Sequence, residues 1–452
     1  MGLALAIASF FVLALGSQPA QAVPSFARQT GQPCAACHTA FPELTPFGRR
    51  FKLSGYTLGG GDDKIPPLAA MLMPGFTHTR AAQDAPPAPG LRTNDNLAIQ
   101  QVTGFYAGKV YGDLGAFIQV SLNPVTQQLW FDASDVRYVK NVNLFGKDGY
   151  IGVTVNNTPT VQDVWNTVDA WAFPEIGSSF AANSVPGTHI DALAQVAGGA
   201  GMYLWWNDML YAEMTAYRGY DRGIQEAFGM QPGPSPDAQI GTIPYWRVAL
   251  EPHWGNHYVM VGTYGLYGQT VPGGAFGTGT DKYLDLGVDA QYQYDGDKYS
   301  VTVKAANTYE KQRLDSSFAQ GISANPTDWI NSFKTSASFV WDHTYSLTGG
   351  YFNVQGSSDA GLSANGVWGG NSVNNSPNGD GLIFDLAYLP FSKGAPGPDK
   401  QMNVRLGVEY VKYLHLFGGT NNFDGAIGTP GAGGTHNANG NDTLFLYAWA
   451  AF

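Results

Sequence analysis

Cysteine is almost missing from this chain. Cys34 and Cys37 are the only two in 452 residues, which excludes a scaffold knit by several disulfides. Charge is scarce as well. Only 13% of residues are Asp, Glu, Lys or Arg, and the 35 acidic outnumber the 24 basic. No basic face for phosphate can be built from that balance, so nucleic acid is excluded as a partner. After the N-terminus, no stretch approaches the ~20 continuous apolar residues of a membrane helix. Glycine (58 residues) and aromatics (13%) are plentiful instead. That composition suits an all-β chain with many turns rather than a helical enzyme.

The N-terminus is the apolar exception. Met1 to Leu15 is almost wholly apolar, and Ala20-Gln21-Ala22 follows. An apolar run ending in a small-x-small site predicts a secretory signal peptide over 1–22, cleaved before Val23. Gln18, Pro19 and Gln21 interrupt the run too early for a bilayer span. The rest divides into a short segment, 23–65, and a long one, 66–452.

The two cysteines lie in Cys34-Ala35-Ala36-Cys37-His38, the C-x-x-C-H pattern of c-type haem attachment. Two thiols at this spacing add to the two vinyl groups of one haem, and the adjacent His is then delivered to the iron. His38 is the expected axial ligand. Met or His supplies the sixth ligand in such sites. Met71, with Met73 as the alternative, is the candidate; a His or an open site also stays in view. Met71, Met73, Thr77 and Thr79 share one parity of a strand, expected to face inward, whereas His78 has the opposite parity.

From residue 68 on, one unit recurs: a period-2 segment bounded by turn residues. In Tyr299 to Glu310, Ser300, Thr302, Lys304, Thr308 and Glu310 oppose Tyr299, Val301, Val303, Ala305 and Tyr309. In Tyr283 to Tyr294, Asp285, Asp289, Gln291 and Gln293 oppose Leu284, Leu286, Val288 and Tyr292. In Met402 to Tyr410, Asn403, Arg405 and Glu409 oppose Val404, Leu406 and Val408. Sixteen such segments are expected, at 68–82, 95–111, 113–123, 129–141, 149–157, 193–206, 208–220, 243–254, 256–269, 283–295, 297–312, 329–343, 345–356, 380–390, 402–416 and 442–452. Alternation alone fits a soluble sandwich too. Loop lengths decide: mostly short connections after even segments, mostly long ones after odd segments. The prediction is a closed antiparallel transmembrane β-barrel of about sixteen strands, with both termini on the side of the short turns, the periplasm. Trp205, Trp206, Trp254, Tyr258 and Trp341 are expected in the interfacial girdles. Leu444 to Phe452 lacks a polar face and is expected to pack on material inside the barrel.

Ser25 to Leu58, S-F-A-R-Q-T-G-Q-P-C-A-A-C-H-T-A-F-P-E-L-T-P-F-G-R-R-F-K-L-S-G-Y-T-L, resembles the haem module of the fused monohaem cytochrome–porins, the family that includes outer-membrane iron oxidases. The resemblance implies one haem c on Cys34 and Cys37, ligated by His38, in a small module plugging the periplasmic side of an outer-membrane barrel. It further implies an oxidoreductase with extracellular Fe(II) as electron donor and a periplasmic c-type cytochrome as acceptor. Within the module, Thr45-Pro46-Phe47 reads as a cap and a first-turn Pro for a helix to Leu53. Arg49, Arg50 and Lys52 are either propionate partners or a solvated basic face. Phe26, Phe41, Phe47 and Phe51 are candidate haem walls. Such a segment is too short to bury a haem by itself.

Acidic residues in the long connections, Asp163, Asp169, Glu175, Asp221, Glu226, Asp237 and Asp424, would raise the local cation concentration, although each also reads as ordinary surface charge. Two alternatives remain: a porin whose haem segment is a structural or sensory plug, and a cytochrome–porin with a non-iron donor. Glu213, Arg247, Glu251 and Lys304 are expected in the lumen, lining a channel or docking the module. His189, His253, His257, His343, His415 and His436 show no catalytic or metal spacing, and no catalytic residue is assigned; strand-borne His253 is expected in the polar lumen.

Overall fold

The computed structural model describes residues 24–60, 66–125, 127–168, 177–181, 185–227, 238–274, 277–368, 372–393, 402–424 and 436–452. The expected signal segment 1–22 lies outside them, as do Asp169, Glu175 and Asp237.

Among the described residues, nineteen strands join in one sheet. Three are fragments, Gln128–Phe131, Ala238–Gln239 and His253–Trp254, and sixteen build a wall. In chain order these are β1 (Leu68–Thr79), β2 (Asn96–Tyr111), β3 (Leu114–Asn123), β4 (Asp135–Leu144), β5 (Lys147–Asn156), β6 (Ala197–Trp206), β7 (Leu210–Gly219), β8 (Ile243–Leu250), β9 (His257–Val271), β10 (Asp281–Asp295), β11 (Tyr299–Arg313), β12 (Thr327–Trp341), β13 (Tyr345–Gly356), β14 (Gly379–Tyr388), β15 (Asn403–His415) and β16 (Thr443–Ala451). Each pairs antiparallel with its neighbour, and β16 pairs with β1 (Phe76 opposite Leu446), which closes the barrel. Closure leaves no unpaired edge.

The faces are inverted relative to a soluble protein. Asp285, Gln293, Ser300, Arg405 and Glu409 are buried, while Leu286, Val288, Leu347, Phe384 and Leu386 are exposed. The three alternating segments singled out above keep the faces assigned to them. An exterior of exposed aliphatic and aromatic side chains over a buried polar interior is stable only where the surroundings are themselves apolar. No helix among the described residues is long and apolar enough to cross a membrane.

Turns follow the expected alternation with one exception. Short connections lie at 112–113, 145–146, 207–209, 251–256, 296–298 and 342–344; 389–402, after β14, is longer. Two expected strands are trimmed. The segment 129–141 breaks at 132–134 before β4, because Asp132 turns inward and is held by side chains. The segment 193–206 begins only at Ala197, because His189–Ala192 forms a helical turn capped by Thr188. Trp205 is corrected from girdle to interior. It shares the inward parity of Tyr203, is 5% exposed and packs on Trp165, whereas Trp206 takes the other face. Trp254 and Trp341 are exposed, as girdle residues should be.

The lumen is filled from two directions. The N-terminal segment enters as three helices, α1 (Pro24–Thr30), α2 (Cys34–Cys37) and α3 (Pro46–Leu53). From the other end comes the connection after β5, of which the described residues Val164 and Trp165 are buried. Asp163 belongs to this inner loop, so its reading as an outward cation-attracting acid is corrected. Its carboxylate lies 3.4 Å from Arg247 and accepts from the backbone N–H groups of Trp165, Thr167 and Val168. Arg247 also pairs with Asp289. His253 is corrected too: it sits exposed beside a short connection, stacked on Tyr258, not in the lumen.

Candidate cofactor site

The site begins with one helical turn. Cys34 and Cys37, three apart, share a face of α2. His38 follows as its C-terminal cap, donating its backbone N–H to Cys34 O at 2.8 Å. The next turn reverses the chain, and α3 packs back onto α2. Thr45 joins the two: its N–H donates to Cys37 O at 2.9 Å, its hydroxyl donates to Ala36 O at 2.6 Å and accepts from Gly48 N at 3.1 Å. This is the cap-and-Pro start expected at Thr45-Pro46. A Cβ added at Gly48 would meet Cys37 O at 2.1 Å, so backbone touches backbone here.

The module is tied to the wall by inward-facing charges. Arg49 pairs with Glu251 at 2.9 Å and donates to Gln293 Oε1 at 2.7 Å. Glu43 pairs with Lys304 at 2.6 Å, and Arg405, itself paired with Asp385, donates to Phe41 O at 2.7 Å. The Tyr203 hydroxyl donates to Leu53 O at 2.7 Å and the Tyr56 hydroxyl to Asp135 at 2.7 Å. The exceptional connection after β14 also takes part, with Ser392 O accepting from Ala35 N at 3.1 Å. Glu251 and Lys304 thus dock the module. Glu213 is buried with the Tyr211 and Thr215 hydroxyls as donors.

Neither reading of the basic residues survives whole. Arg49 and Lys52 are buried, not solvated, and Arg49 is engaged by Glu251. Arg50 makes an exposed pair with Asp208 at 3.0 Å. Lys52 reaches only Asp163 O, at 3.5 Å. Burial, and then the Arg137 guanidinium, push its ammonium down to about 7.

Every sequence-assigned ligand lines one cavity of about 320 Å³. Cys34, Cys37, His38, Met71 and Met73 border it, walled by Phe26, Phe41, Phe51, Phe105, Phe117 and Trp449. Phe47 is corrected: it turns away into a separate cleft with Arg50 and Tyr258. Met71, Met73, Thr77 and Thr79 are all buried on the inward parity, and outward His78 pairs with Asp95. In β16, Phe445 and Tyr447 face inward and Trp449 packs on Phe41 at 4.4 Å, which explains the strand without a polar face.

The donor set fits a covalently held haem. The His38 Nδ1 faces the Pro42 carbonyl at 3.2 Å. A proton on Nδ1 leaves Nε2 as the electron-pair donor, the arrangement that orients histidine ligands. Burial pushes the imidazole down to about 4, so it is neutral and able to ligate at ordinary pH. Burial pushes the Cys37 thiol up to about 12, which makes it a poor thiolate for redox exchange.

Of the acidic residues expected to attract cations, Asp221 caps a short helix by accepting from Ile224 N. Asp424 is engaged by His436 at 2.5 Å, and Glu226 is exposed. Among the described residues, no three His, Cys, Asp or Glu side chains gather to hold a metal ion. Sequence reasoning missed the docking pairs Arg49–Glu251 and Glu43–Lys304. Period-2 patterning shows that a strand charge faces inward but not what it meets.

No family model and no curated protein matches this chain. Solved structures of similar architecture include the anion-selective porin from Comamonas acidovorans (11% identity, 85% of this chain and 98% of that one, TM-score 0.45). OprB of Pseudomonas putida (8%, 85% and 93%, 0.45) and OmpT, an outer membrane protein of Vibrio cholerae (12%, 85% and 96%, 0.41), are similar to a like degree. At this level neither the cargo nor the function of those proteins transfers to this chain.

Proposed function

We propose that this protein is an outer-membrane c-type cytochrome that takes electrons from extracellular Fe(II) and delivers them to a periplasmic c-type cytochrome. The observation that carries the reading is the convergence of Cys34, Cys37, His38 and the inward methionines on one aromatic-walled cavity inside a closed barrel. Cys34 and Cys37 would hold the haem, His38 would ligate its iron, and Met71, with Met73 as the alternative, would be the second protein ligand. The haem supplies a one-electron relay. One electron leaves Fe(II), which becomes Fe(III), and one electron reduces the acceptor.

The chain's own residues support this chemistry. The Pro42 carbonyl holds the His38 ring; Thr45 and Gly48 lock α3 onto the attachment turn; the aromatic wall excludes water. The reading of a module at the short-turn end draws support from Arg50–Asp208 at a short turn and from Ala35–Ser392. Ferric iron is poorly soluble near neutral pH, and a relay inside the barrel keeps it outside the cell.

The alternative, a porin with a haem-bearing plug, draws on the sixteen-stranded wall itself. Rapid anaerobic mixing of oxidised protein with Fe(II), following the haem absorption bands, separates the two. Fast reduction that scales with Fe(II) and is absent with Fe(III) is expected. A haem that dithionite reduces and Fe(II) does not would end the iron reading and leave the porin or a different donor.

A further inference from the structure

The cavity has two chemically different ends. The attachment turn and the aromatic wall form one, beside the short turns. The other reaches Asp132, in the connection after β3, and Asn166 and Gln195, in the inner loop after β5. This second end carries a surplus of acceptors. The Asp132 Oδ2 accepts from Ser121 Oγ at 2.6 Å, Gln119 Nε2 at 2.9 Å and Gln101 Nε2 at 3.2 Å. Its Oδ1 accepts from Gln195 Nε2 at 2.6 Å and Ala133 N at 2.7 Å.

That grip fixes the Gln119 amide with its nitrogen on the carboxylate, so Oε1 is an acceptor, and it has no partner. Asn166 Oδ1 has none either. The two residues are 5% and 4% exposed. A buried acceptor without a donor costs about 1–3 kcal/mol, and two on one cavity beside a carboxylate call for a ligand rich in donors and positive in charge. Waters on a divalent cation are such donors. Lys52, the lysine on this cavity, points at Asp163 O.

We propose that the polar end receives a hydrated divalent cation, held through its water shell by Gln119 Oε1, Asn166 Oδ1 and the Asp132 carboxylate. A single carboxylate, already engaged by several hydrogen bonds, makes the site weak and rapidly exchanging, about 10⁻⁴–10⁻³ M by the ligand-charge trend of oxygen sites. That suits an ion that arrives, gives up an electron and leaves. The inference rests on the proposed function only for the identity of the ion, and binding itself is independent of the haem.

The test uses the holoprotein in detergent and redox-silent Mn(II), with the loss of the free Mn(II) paramagnetic resonance signal as readout. Saturable binding is expected. Gln119→Leu and Asn166→Leu should each weaken it at least tenfold, and Asp113→Asn, a surface control, should not change it. Asn166→Asp adds charge at a residue whose positive φ Asp tolerates, and should tighten binding, which misfolding cannot imitate. No saturable binding by the wild type, or unchanged binding in both leucine variants, overturns the site. Fe(II) reduction of the haem without Mn(II) binding sinks this inference alone. Mn(II) binding without Fe(II) reduction sinks the iron-oxidation reading alone.

Discussion

Gly48 is the position where a single methyl group should undo the site. Its missing Cβ would stand 2.1 Å from Cys37 O and 3.0 Å from the Cys37 carbonyl carbon, against an ordinary contact of 3.4–4 Å. The obstacle is backbone on both sides, so no rotamer change relieves it. Gly48→Ala must push α3 off the attachment turn by more than an ångström. Such a shift breaks the Thr45 N–H bond to Cys37 O and loosens the hydroxyl bond to Ala36 O. One or two lost hydrogen bonds at about 1 kcal/mol each, added to overpacking of about 1–3 kcal/mol, give a loss of roughly 2–5 kcal/mol local to the module. Cys34 and Cys37 remain, so haem should still attach. The displaced His38 and the loosened docking should appear as an altered haem spectrum and faster proteolysis within residues 24–58, with the barrel intact on heat-modifiability gels. Gly59→Ala, where nothing lies within 4 Å, is the control and should match wild type. A Gly48→Ala protein with wild-type spectrum and protease resistance would falsify the packing of α3 on the C-x-x-C-H turn.

Other substitutions test other contacts. Met71→Ala should remove the charge-transfer band of a methionine-ligated ferric haem; loss of that band in Met73→Ala instead would move the ligand by two residues. Arg49→Met leaves Glu251 buried and unpaired and should cost about 3–5 kcal/mol, with Arg49→Met/Glu251→Leu recovering most of it; equal melting temperatures of the single and double variants would refute the pair. Lys52 binds its proton more weakly folded than unfolded, so between about pH 7 and the ordinary lysine range the unfolded chain carries the extra proton. Stability therefore rises with pH across that window, and Lys52→Met should raise stability at pH 7 by on the order of 3–5 kcal/mol, read as a higher melting temperature, the gain fading toward pH 10. A loss of stability in the haem-loaded variant would instead show that Lys52 pairs with a propionate. Arg247→Met should remove the tie between the wall and Asp163 of the inner loop and raise conductance in planar bilayers; unchanged conductance would show that this pair does not hold the lumen closed.

The wall was legible in the sequence because its signal is one-dimensional. Inward Asp285 and Gln293 alternate with outward Leu286 and Val288, and parity alone gives the face. The attachment turn was legible for the same reason, since C-x-x-C-H is a contiguous chemical device. The losses occurred where position depends on a distant segment. Asp163 and Trp165 lie in a connection whose length suggests an outer loop, but burial against Arg247 and Glu251 draws it inward. Trp205 was misplaced because proximity to a turn was weighed above parity. Phe47 was misplaced because a short helix has two sides, and only the position of α2 says which one faces the cavity. The acceptors at the polar end come from three separate segments, and no local pattern joins Gln119, Asp132 and Asn166.

The inward charges bear on conduction. In an open channel, wall charges keep their water and face the solute. Here Glu251 and Lys304 meet opposite charges from the N-terminal segment, Arg405 meets a backbone carbonyl of that segment, and Arg247 meets the inner loop. Each is buried, and a buried ion pair gains little stability relative to an apolar one but is costly to break. Its contribution is therefore to specify a single docking geometry, not to add affinity. A plug that had to leave for transport would break several such pairs at once, each exposing a charge in a narrow, poorly solvated lumen. The wall is built to keep the segment bearing Cys34, Cys37 and His38 in place. Under the proposed function the moving parts would then be small: an electron through the aromatic end of the cavity and an exchanging ion at its polar end.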